Sequence, residues 1–196
     1  MVNLTRIYTR TGDAGTTRLG DMSVTSKTDL RLQAYADVDE ANSHIGCALA
    51  LGDLESDVVT VLTVVQNDLF DVGADFCTPV VSDPEFPPLR IESAYVDRLE
   101  GWCDLYNDQL GALRSFILPA GTAGASLLHV ARTVVRRAER SAWAAYAEHE
   151  SSMNLIAITY LNRLSDLLFI LARHANREAG DVLWVPGGER HAPLDQ

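Results

Sequence analysis

Apolar residues recur every three to four positions through most of the chain, the period of a helix with one buried face. Val38, Ala41, Ile45, Ala48 and Leu49 form one stripe, and Asp29 is placed to cap the helix that carries it. Val58, Leu62, Val65, Leu69 and Val72 form a second behind Ser56; Tyr95, Leu99, Trp102 and Tyr106 form a third behind Ser93. Gly52, Gly73 and Gly111 fall near their ends, where glycine commonly stops a helix. Between Gly124 and Gly180 lie 55 residues with neither glycine nor proline. Strands rarely run so far without a turn residue, so this stretch predicts two long helices, divided near His149–Ser152 with Ser151 or Ser152 as the new cap. Leu128, Ala131, Val135, Ala138, Ala142 and Ala145 keep the period in the first, and Leu161, Leu164, Leu168 and Leu171 in the second. The pattern predicts an all-α, five-helix bundle in a single domain of 196 residues.

Three stretches lack that period. Residues 1–28 are polar, with seven threonines and three glycines, and read as an N-terminal loop or arm ahead of a bundle over 29–180. Residues 77–91 hold Pro79, Pro84, Pro87 and Pro88 and read as a rigid external loop with no evident chemistry. Residues 181–196 read as a C-terminal tail, loosely held from Pro186 onward.

The net charge of −11 argues against a nucleic-acid scaffold or a binder of anionic membranes. The N-terminus has no apolar segment of a signal peptide, and the most apolar stretch, Leu155 to Leu171, carries Asn162, Arg163, Ser165 and Asp166, so no membrane span is expected. Cys47, Cys77 and Cys103 are odd in number and widely spaced, which excludes a disulfide framework or zinc ribbon and predicts a reducing, cytoplasmic setting. The charge is uneven. Residues 1–31 carry a balance of +2 and residues 111–140 one of +4, against −14 over residues 32–110. Two positive islands in an acidic chain suit a compact anion, although clustering on a solvated face produces the same pattern.

The first island contains Thr9-Arg10-Thr11-Gly12-Asp13-Ala14-Gly15-Thr16-Thr17-Arg18. Glycines let backbone N–H groups turn toward an anion, threonine hydroxyls donate, and arginines add charge. It is not the phosphate-binding GxxxxGK[ST] loop, and a simple turn in a polar arm is the alternative. The second island puts Arg132, Arg136 and Glu139 on one helical face with His129 and Trp143, and Arg137 and Arg140 beside them. Four arginines in nine residues need negative charge nearby, either Asp37, Asp39 or Glu40 on the first helix or a bound phosphate chain. Asp39, Asn42 and Gly46 share a face suited to close helix contact or a ligand wall; Asn162, Arg163 and Asp166 suit a core network or a ligand contact. The five histidines show no metal-ligand spacing, and a lone helix histidine such as His129 is more often a satisfied structural group.

Five segments in order carry a resemblance: Ile7-Tyr8-Thr9-Arg10-Thr11-Gly12-Asp13-Ala14-Gly15, Val38-Asp39-Glu40-Ala41-Asn42-Ser43, Phe116-Ile117-Leu118-Pro119, Ala131 through Arg140, and Tyr160-Leu161-Asn162-Arg163-Leu164-Ser165-Asp166. The chain resembles the PduO-type ATP:cob(I)alamin adenosyltransferases. It departs from them at Ala41, where the family usually has leucine, and at Ala120, where Pro-Gly-Gly is usual. The resemblance implies transfer of the 5′-deoxyadenosyl group of ATP to the cobalt(I) of a corrinoid, releasing triphosphate. It implies a homotrimer with sites between subunits, Mg²⁺ on the ATP phosphates, and a cobalamin reductase and an adenosylcobalamin-dependent enzyme as partners. By the same resemblance Thr9, Arg10, Thr11, Gly12, Asp13, Gly15, Thr17, Arg18 and Lys27 are expected to contact ATP, with Arg132, Arg136, Arg137, Glu139, Arg140 and Asn162 completing that site. Asp39 and Arg132 match an ion pair across the subunit junction near the corrinoid, and Phe116 matches the bulky residue beneath cobalt; together with Arg137 these are the expected catalytic residues.

Overall fold

A computed structural model describes residues 8–84 and 86–187; Ile7, His191 and the rest of the tail beyond 187 lie outside the described residues. A short hairpin of β1 (Thr16–Arg18) and β2 (Val24–Ser26) precedes α1 (Leu30–Leu51), α2 (Ser56–Cys77), α3 (Ser93–Asn107), α4 (Ala123–His149) and α5 (Leu155–Ala175). Helix α1 lies between α2 and α4, while α5 packs on α4 and α3. Every position named in the stripes of α2, α4 and α5 is buried, as are Val38, Ala41, Ile45 and Ala48 of α1. Helix α5 is long and apolar enough to cross a membrane by composition alone, but 56% of its most apolar window is buried inside the bundle.

The most extensive helix pairing is α1 on α4. Its seam is made of small residues: Ala34, Ala41 and Ala48 face a row of Ala131, Ala138, Ala142 and Ala145, all fully buried. At one end the backbones nearly touch, because a Cβ on Gly124 would stand 2.6 Å from the Gly52 carbonyl oxygen. Ala41, where the family usually has leucine, is one of these fully buried positions.

The helix ends differ in detail from the expected caps. Asp29 caps α1 as anticipated, its Oδ1 accepting from the Arg31 N–H at 2.8 Å. Ser56 and Ser93 are instead the first helical residues, behind Glu55 and Glu92, which make no side-chain cap. A 3₁₀ turn over Glu150–Ser152 separates α4 from α5, and Asn154 rather than a serine caps α5. The reason is tertiary. Asn154 Nδ2 also donates to Asp75 Oδ2 at 2.6 Å and to the Ile91 carbonyl at 2.9 Å, so the cap is tied to α2 and to the loop before α3. Gly52 ends α1, whereas Gly73 lies inside α2, which continues to Cys77.

A polar knot at this end joins the arm to the bundle. The Asp29 carboxylate accepts from the Thr25 hydroxyl of β2 at 2.7 Å and meets His149 Nε2 at the end of α4 at 2.9 Å. Arg31, only 2% exposed, donates to the Phe76 carbonyl at 2.9 Å and to the Ser152 hydroxyl at 2.6 Å. Asp75 anchors the proline-containing loop through Arg90, at 2.6 Å, and the Ile91 N–H, at 2.8 Å. Hydrogen bonds of this charge-assisted kind are shorter and stronger than neutral ones.

Burial raises the Asp29 carboxyl, but its hydrogen bonds from Thr25, Arg31 and His149 outweigh that and hold it below the ordinary value of 3.8. A carboxyl lowered in the folded state adds stability that is present above the unfolded value and lost as pH falls through the folded one. Asp29→Asn keeps a capping side chain but removes the charge, and should cost on the order of 1–2 kcal/mol near pH 7. Denaturant titrations of both proteins at pH 7 and near pH 3 should show that difference shrinking in acid; a constant difference would remove the carboxylate from this role.

Candidate functional site

The arm is shaped by its glycines. A turn over residues 11–14 is closed by the Gly15 N–H donating to the Gly12 carbonyl at 3.2 Å, and Gly15 takes φ +81°, which a side chain would strain. Lys27 donates its backbone N–H to the Gly15 carbonyl at 2.9 Å, and its ammonium lies over Gly12, 2.9 Å from where a Cβ would stand. Thr9 and Thr11 share a hydroxyl hydrogen bond of 2.9 Å, and Asp13 is exposed on the turn. Arg10 adopts φ +60° with its guanidinium 5.6 Å from the Tyr8 ring centroid. Thr17 pairs with Thr25 across the hairpin, and Arg18 donates to the Met22 carbonyl at 3.0 Å. Leu19 is buried and the Gly20 N–H donates to the Cys77 carbonyl at 2.9 Å, so the hairpin tip docks on the end of α2.

The arginines of α4 divide into two kinds. Arg137 is neutralised by α1: it pairs with Glu40 and its Nε lies 3.5 Å from Asp37 Oδ1. The Glu40 hydrogen bond holds its guanidinium above the ordinary value. Asp37, buried, also accepts from Ser141 at 2.5 Å and Gln33 at 2.9 Å. For this arginine the structural ion pair left open by the sequence is present. Arg136 and Arg140 are exposed and, among the described residues, have no ion-pair partner. Arg132 is half-buried with an unpartnered Nε and its guanidinium 5.9 Å from the Phe169 ring; burial, then Arg136, holds it below its ordinary value. Arg132 and Arg136 line an open cleft of about 390 Å³ with Ser165, Asp166, Phe169 and Ile170. Glu139 accepts from Asn162 Nδ2 at 3.1 Å, which joins α4 to α5 on this face.

His129 is buried, yet neither ring nitrogen has a partner among the described residues, so it is not the satisfied core group expected. Burial and the neighbouring Arg132 hold it below 6.5, so it is neutral at pH 7. Arg163 pairs with Glu100 at 2.8 Å and Asp166 at 3.4 Å, making it a surface network between α3 and α5. Asn42 donates to the Gln66 carbonyl at 3.0 Å, which makes its face of α1 a helix contact with α2. Asp39 is exposed and lines a separate groove of about 320 Å³ with Tyr35, Phe70 and Gly73. At the far end of the bundle Glu55, Asp57 and His174 cluster within 4.8 Å, but Arg177 pairs with Glu55 and lies 3.0 Å from His174 Nε2.

Phe116 lies on neither helix nor arm. Its carbonyl accepts from the Trp184 N–H at 2.9 Å, and the Leu118 N–H donates to the Val182 carbonyl at 2.8 Å. Residues 181–185, expected as tail, thus pair with residues 116–118 as a short strap, with the Phe116 and Trp184 rings edge to face at 6.1 Å. The Phe116 ring is 79% exposed. The turn after it depends on Gly121, at φ +116°, where a side chain would overlap Asn176; Ala120 is not among the positive-φ residues, so the departure there leaves the turn intact. Sequence reasoning missed Trp184 and Phe169; the run Val182-Leu183-Trp184-Val185 after Gly180 was the available sign of an extended segment.

Taken together, these surfaces offer cations, N–H groups and an exposed aromatic ring, a set whose chemistry suits a polyanion and a flat apolar body. Among the described residues, no hydrogen bond or ion pair joins loop residues 9–18 to the arginines of α4.

A family model described as cobalamin adenosyltransferase matches residues 7–175. A corrinoid adenosyltransferase of Mycobacterium tuberculosis is 64% identical over 191 residues, covering 97% of this chain and 98% of the relative. One from Bacillus subtilis is 41% identical over 180 residues, 89% of each chain. Among solved structures, a variant PduO-type ATP:corrinoid adenosyltransferase from Lactobacillus reuteri, complexed with cobalamin and ATP, superposes with a TM-score of 0.83 at 37% identity, covering 91% of this chain and 99% of that one.

The unpaired cations of α4 make a binding prediction that needs no nucleotide. Inorganic tripolyphosphate should stabilise the protein, by about 2–3 kcal/mol at a hundredfold excess over its Kd. Arg136→Ala with Arg140→Ala should remove most of the shift in Tm. A shift that persists in the double variant would move the anion away from this face.

Proposed function

The chain belongs to the cobalamin adenosyltransferase family, whose activity toward ATP and a corrinoid it shares, and we propose how its residues divide that reaction. Thr9, Arg10, Thr11, Gly12, Asp13, Gly15, Thr17, Arg18 and Lys27 hold ATP from the arm, and Arg136, Arg137, Glu139, Arg140 and Asn162 hold it from α4 and α5. The unpartnered state of Arg136 and Arg140 supports this, as does the loop geometry at Gly15. Asp39, Arg132 and Phe116 face the corrinoid. The observation that carries the reading is Phe116: its backbone is hydrogen-bonded into the strap while its ring stays 79% exposed. A held phenyl ring forgoes about 1.5–3 kcal/mol of burial until an apolar face covers it.

The reaction asks little acid–base chemistry of the protein. The cobalt(I) electron pair forms a bond to C5′ of ATP, and the C5′–O bond breaks with its pair leaving on triphosphate. The protein's tasks are in-line positioning and stabilisation of charge on the departing oxygens, which arginine forks suit. Arg137 exchanges part of its pairing with Glu40 and Asp37 for the phosphates. Mg²⁺ would sit on the ATP phosphates, where it would neutralise part of their charge. Phe116 excludes a lower axial ligand from cobalt, so that four-coordinate cobalt(II) forms and is reduced more easily.

The site is completed by a second copy of the chain in a homotrimer. Asp39 opens onto the groove between α1 and α2 and Arg132 onto the cleft between α4 and α5, so an ion pair between them joins two subunits. A one-electron cobalamin reductase feeds the reaction and an adenosylcobalamin-dependent enzyme takes its product. The reducing cytoplasm fits the free Cys47, Cys77 and Cys103.

The test is an anaerobic assay with cob(I)alamin and Mg-ATP. Loss of the cobalt(I) absorbance, formation of a light-sensitive alkylcobalamin and one triphosphate per turnover are expected. Phe116→Ala should lose the four-coordinate cobalt(II) spectrum and most of the rate, by on the order of 100-fold, while Arg137→Ala should weaken ATP binding in a folded protein. Binding of both substrates without conversion would make the chain an escort for the product instead.

A further inference from the structure

We propose that Arg173 is a positioning residue for Phe116, acting as a clasp that sets the register of the strap; this rests on the lower-face role of Phe116 above. Arg173 stands on the last turn of α5 and is 9% exposed. Its Nη2 donates to the Gly111 carbonyl at 2.8 Å and its Nε to Asp181 Oδ2 at 3.0 Å. Gly111 begins the segment that leads to Phe116, and Asp181 immediately precedes Val182, the first residue of the opposing segment. One planar guanidinium therefore holds the entry of both extended segments to the same turn of α5.

The strap needs such an anchor. It has two backbone hydrogen bonds and a single bridge, Ile117 with Leu183, with the Ser115 hydroxyl adding a bond of 3.4 Å to the Trp184 carbonyl. An isolated pair of strands this short is marginal in water. Because side chains alternate across an extended segment, a slip of one residue turns the whole set to the other face. Such a slip would turn the Phe116 ring to the opposite face of the strap while leaving the helices unchanged. Asn176 fixes the end of the strap that includes Ala120 and Gly180, its Nδ2 donating to the Ala120 carbonyl at 2.9 Å and its backbone carbonyl accepting from the Gly180 N–H at 2.7 Å, but it leaves the approach from Gly111 to Phe116 free. A buried guanidinium with two rigid acceptors in different segments defines the offset between them, and its fork geometry suits that task better than a lysine ammonium.

The test compares wild type, Arg173→Gln, Arg173→Lys, Asp181→Asn and Phe116→Ala, with cob(II)alamin and ATP bound. Arg173→Gln should lose most of the four-coordinate cobalt(II) signal and about tenfold or more in kcat, with KM for ATP within about twofold of wild type. Arg173→Lys should recover part of the signal, and Asp181→Asn, which removes the charge at the other end of the clasp, should reproduce the loss if Arg173→Gln does not fold. In the Phe116→Ala background, Arg173→Gln should add almost nothing, because both changes remove the same contact. A full four-coordinate signal in folded Arg173→Gln, or losses that simply multiply in the double variant, would overturn the clasp. A wild-type protein that forms no four-coordinate cobalt(II) would instead overturn the lower-face role itself.

Discussion

Helices α1 and α4 pack closely along a seam rich in fully buried alanines that ends where Gly52 meets Gly124. The charge pairing on that face inherits the spacing. At this separation the buried Asp37 and the exposed Glu40 of α1 reach Arg137 of α4, so one arginine of a dense cationic face is neutralised from within the chain. Its neighbours Arg136 and Arg140 are exposed and, among the described residues, have no ion-pair partner. A larger residue at Ala41, Ala131 or Ala138 would separate the helices and with them the donors and acceptors that the charge pattern requires.

The two ends of the bundle serve different purposes. At the Asp29 end, charge-assisted hydrogen bonds tie hairpin, helix ends and proline-containing loop into one unit, so the arm leaves the bundle from a rigid base. Its own turn is held mostly by its backbone, through Gly12, Gly15 and Lys27, while its side chains bond locally, Thr9 with Thr11 and Arg18 with the Met22 carbonyl. At the opposite end Arg173 and Asn176 hold two extended segments against α5 and keep an aromatic ring in solvent. The cationic loop and the exposed ring are thus kept on separate pieces of backbone, each anchored by its own buried polar group.

The proposed contact between copies of the chain rests on where Asp39 and Arg132 lie. They lie on different faces of the bundle, one beside the exposed Phe70 and the other beside the partly buried Phe169 ring. Opposite charges placed this way, next to apolar surface, suit contact between copies better than contact within one.

The helices, their buried faces and the cap at Asp29 were legible in the chain, because periodicity and capping depend on residues three or four apart. The cationic face of α4 was legible for the same reason, as was the glycine turn of the arm. What the chain alone left open was every choice between distant partners. Whether Arg137 meets carboxylate or phosphate depends on how near α1 lies, 97 residues away. Whether a serine or Asn154 caps α5 depends on Asp75 and Ile91. The pairing of Phe116 with Trp184, and the guanidinium that holds it, belong to segments without a repeating pattern, whose conformation is decided by contacts rather than by their own composition. Local order was written in the sequence by spacing; the site was decided by which surfaces the packed helices brought within hydrogen-bonding distance.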